Sequence, residues 1–240
     1  MLAMMQESLH EGSAAAAAAE KTLRSAAFLL SAARLGQLPT DQRREVGFVG
    51  RSNSGKSSAL NALTGRRALA RVSKTPGRTQ LLNLFDLTPD GRLVDLPGYG
   101  YARVPESQRR SWQALAGGYL RERSTLCGLV LLMDVRHPLR DLDWMLLEAV
   151  AGRPVLALLT KADKLGRGAA HKVLHAVRHE LSERGAMQTT AQLFSATAGL
   201  GVDQARCWIL SRLTEPGADG TTLAETDADD PGLVSRTEVE

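Results

Sequence analysis

An α/β fold, a mostly parallel six-stranded sheet with helices on both faces, follows from three features of the sequence. Short apolar runs alternate with helical patterns through the middle of the chain, as in repeated βαβ units. Gly128 to Asp134 and Val155 to Leu159 are continuously apolar, as strands buried on both faces are. Each chemically distinctive motif falls at the end of a predicted strand, where open α/β sheets bind their ligands.

The elements follow in order. Val46 to Val49 reads as a strand, and Ser57 to Leu63 as a helix opening directly after it. Leu81 to Leu87 and Arg92 to Leu96 read as strands joined by the turn Pro89-Asp90-Gly91. Residues 107–122 predict a helix, and residues 141–151 another, with Trp144, Leu147 and Val150 at helical spacing. Residues 169–185 and 201–213 are helical, with a short strand around Gln192 to Phe194 between them. Residues 21–35 suggest an amphipathic helix. The Ala-rich residues 1–20 are expected to be poorly ordered, and residues 215–240 to form a disordered acidic tail. Residues 21–214 are then a single domain, with no internal repeat.

The chain has 240 residues, 43% hydrophobic and 23% charged, enough for one domain with a substantial core. No run of apolar residues is long enough to span a membrane, and no signal-peptide pattern opens the chain. A cytoplasmic protein with no membrane contact is expected. Cys127 and Cys207 lie in apolar patterns and read as buried, reduced thiols. Between Glu215 and Glu240, eight acidic residues against Arg236 leave that segment at −7, so residues 1–214 carry +11 of the chain's net +4. A basic body suits an anionic partner such as RNA, or simply a solvated surface.

Gly50-Arg51-Ser52-Asn53-Ser54-Gly55-Lys56-Ser57 matches the phosphate-binding pattern GxxxxGK[ST], between a predicted strand and a predicted helix. Its glycines let successive backbone N–H groups aim at phosphate oxygens, and the helix N-terminus adds partial positive charge. Lys56 should reach the β- and γ-phosphates, and Ser57 should ligate Mg²⁺. Asp95-Leu96-Pro97-Gly98 follows a strand as a DxxG element. Asp95 should hold Mg²⁺ through a water, and the Gly98 N–H should sense the γ-phosphate. Between the two motifs, Gly77, Arg78, Thr79, Gln80 and Leu81 run into a strand. A threonine there should complete the magnesium shell, and Thr79 is preferred to Thr75 by position. Segments 66–80 and 97–108 would be ordered by the triphosphate and released after hydrolysis.

Thr160-Lys161-Ala162-Asp163 follows the strand Val155 to Leu159 and is similar to NKxD with Thr in place of Asn. The Asp163 carboxylate can accept hydrogen bonds from N1–H and the 2-amino group of guanine. Adenine offers neither donor and would strand the carboxylate. The Lys161 stem can lie along the base. The Thr puts one contact in question, from residue 160 to the base and the phosphate loop. Phe194-Ser195-Ala196 and Thr197 follow a short strand, and a backbone N–H there can meet guanine O6.

On GRSNSGKSS (50–58), TPGRTQ (75–80), VDLPGYGYA (94–102), TKAD (160–163) and FSA (194–196), the sequence resembles the EngB (YsxC/YihA) family of ribosome-assembly GTPases, in the TrmE–Era-like group. The resemblance covers roughly residues 25–213. It implies a P-loop NTPase G domain that binds GTP or GDP with Mg²⁺ and acts in large-subunit assembly and normal septation. It implies nucleotide contacts at 50–57, 77–81, 95–98, 160–163 and 194–196, and Ser57 and Thr79 as magnesium ligands. Lys56, Thr79 and Gly98 form the expected catalytic set, and the partner is the large ribosomal subunit, its rRNA and proteins. A monomer is expected.

Many GTPases place a water-orienting glutamine after DLPG; here the position is Tyr99. Catalysis then rests on positioning and charge neutralisation, with rate supplied by the ribosome or by K⁺ beside Asn53. Arg78, Arg103, Arg109 and Arg110 are candidate rRNA contacts. Trp112, Trp144 and Trp208 read as core, and the five histidines as showing no metal-ligand spacing. The competing readings are a P-loop ATPase or small-molecule kinase, and a nucleotide-gated RNA-binding module with negligible turnover.

Overall fold

The computed structural model of the chain describes residues 2–69, 81–89, 91–100 and 112–215. Its strands are β1 (Ala27–Ala32), β2 (Glu45–Gly50), β3 (Leu82–Leu87), β4 (Gly91–Asp95), β5 (Leu126–Asp134), β6 (Val155–Thr160) and β7 (Thr189–Leu193). Its helices are α1 (Leu2–Arg24), α2 (Lys56–Thr64), α3 (Gly118–Glu122), α4 (Asp141–Ala149), α5 (Arg167–Glu183) and α6 (Val202–Thr214). A π-helical turn, Gln113–Gly117, leads into α3.

The strands form one seven-stranded sheet in the order β1-β3-β4-β2-β5-β6-β7. Pairings from β4 through β2, β5 and β6 to β7 are parallel, whereas β3 is antiparallel to both β4 and β1. The sheet therefore has seven strands where six were expected. The extra one is β1, inside the segment read as an amphipathic helix over 21–35. Its Leu and Ala content favours a helix locally, but pairing Ala27–Ala32 with Leu82–Asp86 satisfies the backbone along the free side of β3. The N-terminal expectation also changes. Ala14 to Ala19 lie in α1, and Ala is the strongest helix former.

Side chains alternate across β5 and β6 and build two cores. Leu129, Leu131, Met133, Ala157 and Leu159 face Tyr119, Trp144, Leu147, Leu174 and Val177. Val130, Leu132, Leu156 and Leu158 face Leu23, Leu60, Leu63, Val202 and Ile209 on the other side. This is the helix–sheet–helix layering expected of continuously apolar central strands. Trp144 is buried, and Trp112 and Trp208 are half-buried against the two cores, as read from their spacing. Cys127 and Cys207 are free but only half-buried, not buried as expected. Burial pushes the Cys127 thiol up from its ordinary value.

α1 belongs to the second core. Ala19, Leu23 and Ala26 are fully buried. The Arg206 guanidinium of α6 lies 3.4 Å from Glu20 and donates to the carbonyl of Leu63 at 2.9 Å. It thereby caps the C-terminal end of α2, whose last carbonyls lack helical partners. Leu23→Ala should lower unfolding free energy by about 2–5 kcal/mol, the range for opening a cavity in a packed core. Urea titration measures it, and an unchanged midpoint would mean that α1 does not dock.

Candidate functional site

β2 ends at Gly50 and α2 begins at Lys56, so the phosphate loop turns between a fully buried strand and a helix N-terminus. Gly50 has no room for a side chain. A Cβ there would lie 2.7 Å from the Leu132 carbonyl oxygen and 2.5 Å from the Ser54 hydroxyl. Gly55 adopts φ 90°, a left-handed conformation that glycine alone enters without strain. Asn53 also has positive φ, 64°.

The loop's carbonyls are tied back one by one. The Tyr99 N–H donates to the Gly50 carbonyl at 3.2 Å, and the Ser54 N–H to that of Arg51 at 2.9 Å. Lys161 Nζ donates to the Asn53 carbonyl at 2.7 Å, and Thr160 Oγ1 to that of Ser54 at 2.5 Å. The Ala59 N–H donates to the Gly55 carbonyl at 2.9 Å. Among the described residues, the amides of Asn53, Gly55, Lys56 and Ser57 have no acceptor. Such a row of unpaired donors at a helix N-terminus is an anion-binding surface.

Lys56 Nζ pairs with Asp95 Oδ1 in a nearly buried ion pair, joining the phosphate loop to the end of β4. Asn83 Nδ2 lies 3.4 Å from the other carboxylate oxygen. The Ser57 hydroxyl and the Asp95 carboxylate supply hard oxygen donors with no nitrogen or sulfur among them. That donor chemistry fits Mg²⁺ better than a transition metal. Gly77, Arg78, Thr79 and Gln80, and with them the preferred second magnesium ligand, lie outside the described residues, as do Arg103, Arg109 and Arg110. Leu81 is half-buried just before β3.

Leu96, Pro97 and Gly98 run across the phosphate loop. Leu96 is buried and its N–H donates to the Phe48 carbonyl at 2.9 Å, while the Ser52 N–H donates to Tyr99 at 2.9 Å. The Trp112 indole donates to the Pro97 carbonyl at 2.7 Å, and its ring meets Tyr99 edge-on, centroids 5.8 Å apart. The phenol of Tyr99 donates to Asp143 Oδ1 at 2.5 Å, and Asp143 is fully buried at the start of α4. Desolvation pushes the Asp143 carboxyl and the Tyr99 phenol up from their ordinary values. Tyr99 is therefore turned into the protein. The sequence shows Tyr99 but not its partner, 44 residues further on.

The base-reading motifs are joined side by side. The Ala162 N–H donates to the Phe194 carbonyl at 3.1 Å. Ser195 is fully buried and its hydroxyl donates to Asp163 Oδ1 at 2.6 Å, which holds the exposed Asp163 carboxyl below the ordinary carboxylate value. The Ser195 N–H is committed to the Leu200 carbonyl at 2.9 Å, which leaves the amides of Ala196 and Thr197 as the ones within 195–197 without an acceptor among the described residues. Lys161 takes a left-handed backbone, φ 58°, which turns its ammonium onto Asn53 and to 3.0 Å from Asp134. Hydrogen bonds from Arg136, with Lys161 beside it, hold the Asp134 carboxyl well below its usual range. Asp134, Arg136 and Asp143 went unmarked in the sequence reading, since only the fold brings the end of β5 against the loop.

Residues 45–161 match a family model described as 50S ribosome-binding GTPase. A probable GTP-binding protein EngB of Azoarcus sp. (strain BH72) is 51% identical over 203 residues, 84% of this chain and 97% of that protein. The chain belongs to the EngB family. Another EngB relative, from Mannheimia succiniciproducens, is 53% identical over 195 residues, 78% of this chain and 94% of its own. Among solved structures, a probable GTP-binding protein engB covers 72% of this chain and all of its own, at TM-score 0.58 and 20% identity. Aquifex aeolicus Era covers the same share of this chain and 57% of its own, at TM-score 0.57 and 23% identity. These likenesses show the P-loop GTPase G-domain fold, within which this EngB-family chain carries Thr160 as its link to the phosphate loop.

Since Tyr99 points away from the loop's amides, Tyr99→Phe should cost about 1–3 kcal/mol of stability for the unpaired buried carboxyl. Single-turnover GTP hydrolysis should change by less than about tenfold, against about 10²–10⁴-fold for loss of a general base. A hundredfold loss of rate would put the phenol in the reaction.

Proposed function

We propose that this chain binds GTP and GDP with Mg²⁺ and hydrolyses GTP slowly, as a switch in assembly of the large ribosomal subunit and in normal division septum formation. The observation that carries the nucleotide reading is the fixed Asp163 carboxylate, held by Ser195 on a loop whose neighbours Thr160 and Lys161 grip the phosphate loop. A carboxylate and a row of amides set at one sheet end match the two ends of a guanine nucleotide. Membership of the EngB family supports the same reading.

Lys56 would neutralise the β- and γ-phosphates, Ser57 and Asp95 would hold Mg²⁺, and the Gly98 amide would meet the γ-phosphate, with Thr79 completing the set. Mg²⁺, when bound, supplies charge neutralisation on the phosphate oxygens. With Tyr99 engaged by Asp143, turnover unaided by a partner is on the order of 10⁻⁴ to 10⁻² s⁻¹. The ribosomal partner is supported by the description of the matching family model and by the basic body of the chain. On this reading the protein is a cytoplasmic monomer. No helix among the described residues is long and apolar enough to cross a membrane.

The ATPase or kinase alternative is disfavoured by Asp163. GDP should displace a fluorescent guanine nucleotide at least about 10⁴ times better than ADP. Asp163→Asn should move preference toward xanthine nucleotides, because an amide N–H can donate to the oxygen that replaces the 2-amino group. Equal binding of ADP and GDP would end the guanine reading. Phosphate release with and without 50S subunits separates a slow GTPase from an RNA-binding module without turnover. Cosedimentation under GDP and a non-hydrolysable GTP analogue tests the ribosomal partner.

K⁺ beside Asn53 is the proposed source of unassisted rate. Turnover should rise when Na⁺ buffer is replaced by K⁺ at equal ionic strength, and equal rates would remove the cation from the mechanism.

A further inference from the structure

Helix α5 turns Ala170, Leu174, Val177 and Leu181 into the core. Arg178 fixes its rotation by donating from Nε and Nη2 to the Ala191 carbonyl at 3.0 and 2.8 Å. The opposite side carries His171, His175 and His179, all exposed. Neighbouring members are four residues apart, so their imidazoles stand one turn from each other on a single stripe. The five histidines were expected to show no metal-ligand spacing, yet three of them form two overlapping His-X₃-His pairs on this helix that share His175. Two histidines at i and i+4 on a helix are the arrangement by which zinc-binding helices present two ligands together.

Among the described residues, His171 and His175 have no hydrogen-bond or ion-pair partner. His179 Nδ1 lies 3.5 Å from Glu183 Oε2, one turn further along. The carboxylate lies on the Nδ1 side of the ring, where a carboxylate commonly supports a metal-binding histidine. No three His, Cys, Asp or Glu side chains among the described residues gather into a compact cage. An ion here would thus be held by two imidazoles at a time, with water in its other positions. Imidazole pairs select Zn²⁺, Ni²⁺ or Cu²⁺ over Mg²⁺ and Ca²⁺, which prefer oxygen.

We propose that α5 carries an open surface site for a borderline divalent transition-metal ion, chelated by adjacent pairs from His171, His175 and His179. The helix is already ordered by its core face, so binding needs no folding step. Because the ion bridges successive turns of the folded helix, it stabilises the folded state by mass action. The site is distinct in chemistry from the oxygen-lined position of Ser57 and Asp95.

The test titrates tag-free, full-length protein, saturated with GDP and excess Mg²⁺, with Ni²⁺ by calorimetry. Saturable binding is expected in the wild type. His175→Gln breaks both pairs and should weaken binding by about tenfold or more. His171→Gln and His179→Gln each leave one pair intact and should have smaller effects. Circular dichroism and GDP affinity, unchanged in all three variants, show that the fold is retained. Ni²⁺ should raise the melting temperature of the wild type but not of His175→Gln. No saturable binding by the wild type, or equal binding by wild type and His175→Gln, would overturn the proposal. Retained binding in His175→Gln that is lost in Ser57→Ala would place the ion at the nucleotide instead and overturn it equally.

Discussion

A loop that aims its amides at an anion must turn its carbonyls the other way, and those carbonyls need donors. That requirement organises the site. The carbonyls of residues 50, 51, 53, 54 and 55 are each met, by Tyr99, Ser54, Lys161, Thr160 and Ala59. Three of these donors come from outside the loop and its helix. Thr160 closes β6 and Lys161 follows it, while Tyr99 lies just after β4, and the TKAD and DxxG motifs start at the ends of those two strands. The motifs are thus mechanical supports of the phosphate loop as well as contributors of chemistry, and the loop's shape depends on both being in place.

The same logic explains the charged pairs around it. Lys56 and Asp95 are each almost buried, a position that costs a lone charge several kcal/mol, and each offsets the other's desolvation. Lys161 divides its ammonium between a neutral carbonyl and the Asp134 carboxylate, which Arg136 also holds. Tyr99 is locked to Asp143 on the first turn of α4, so the chain after Gly98 leaves the site through a fixed point.

Much of this was legible in the sequence for a physical reason. Phosphate and base recognition need particular residue types at strand ends, and continuous apolar strands announce a sheet covered on both faces. Gly50 to Ser57, Asp95 to Gly98 and Thr160 to Asp163 therefore read directly. What did not read was non-local. Ala27 to Ala32 has the composition of a helix and becomes a strand because β3 offers a partner far along the chain. The role of Asp143 depends on Tyr99 reaching it through the fold, and that of Asp134 on Lys161, which follows β6, beside its local partner Arg136. The Ser195 amide is taken by the Leu200 carbonyl, a contact with no local signature.

Thr160 differs from asparagine in what it can give. A hydroxyl has one proton, and here the Ser54 carbonyl takes it, with the Met133 carbonyl 3.0 Å away on the same oxygen. An amide could have fastened the loop with one hydrogen and kept a second for another task. Under the proposed function, side-chain discrimination of the purine therefore has no spare: the loop's anchor is fully occupied, and a single carboxylate is the lone point of failure for choosing the base.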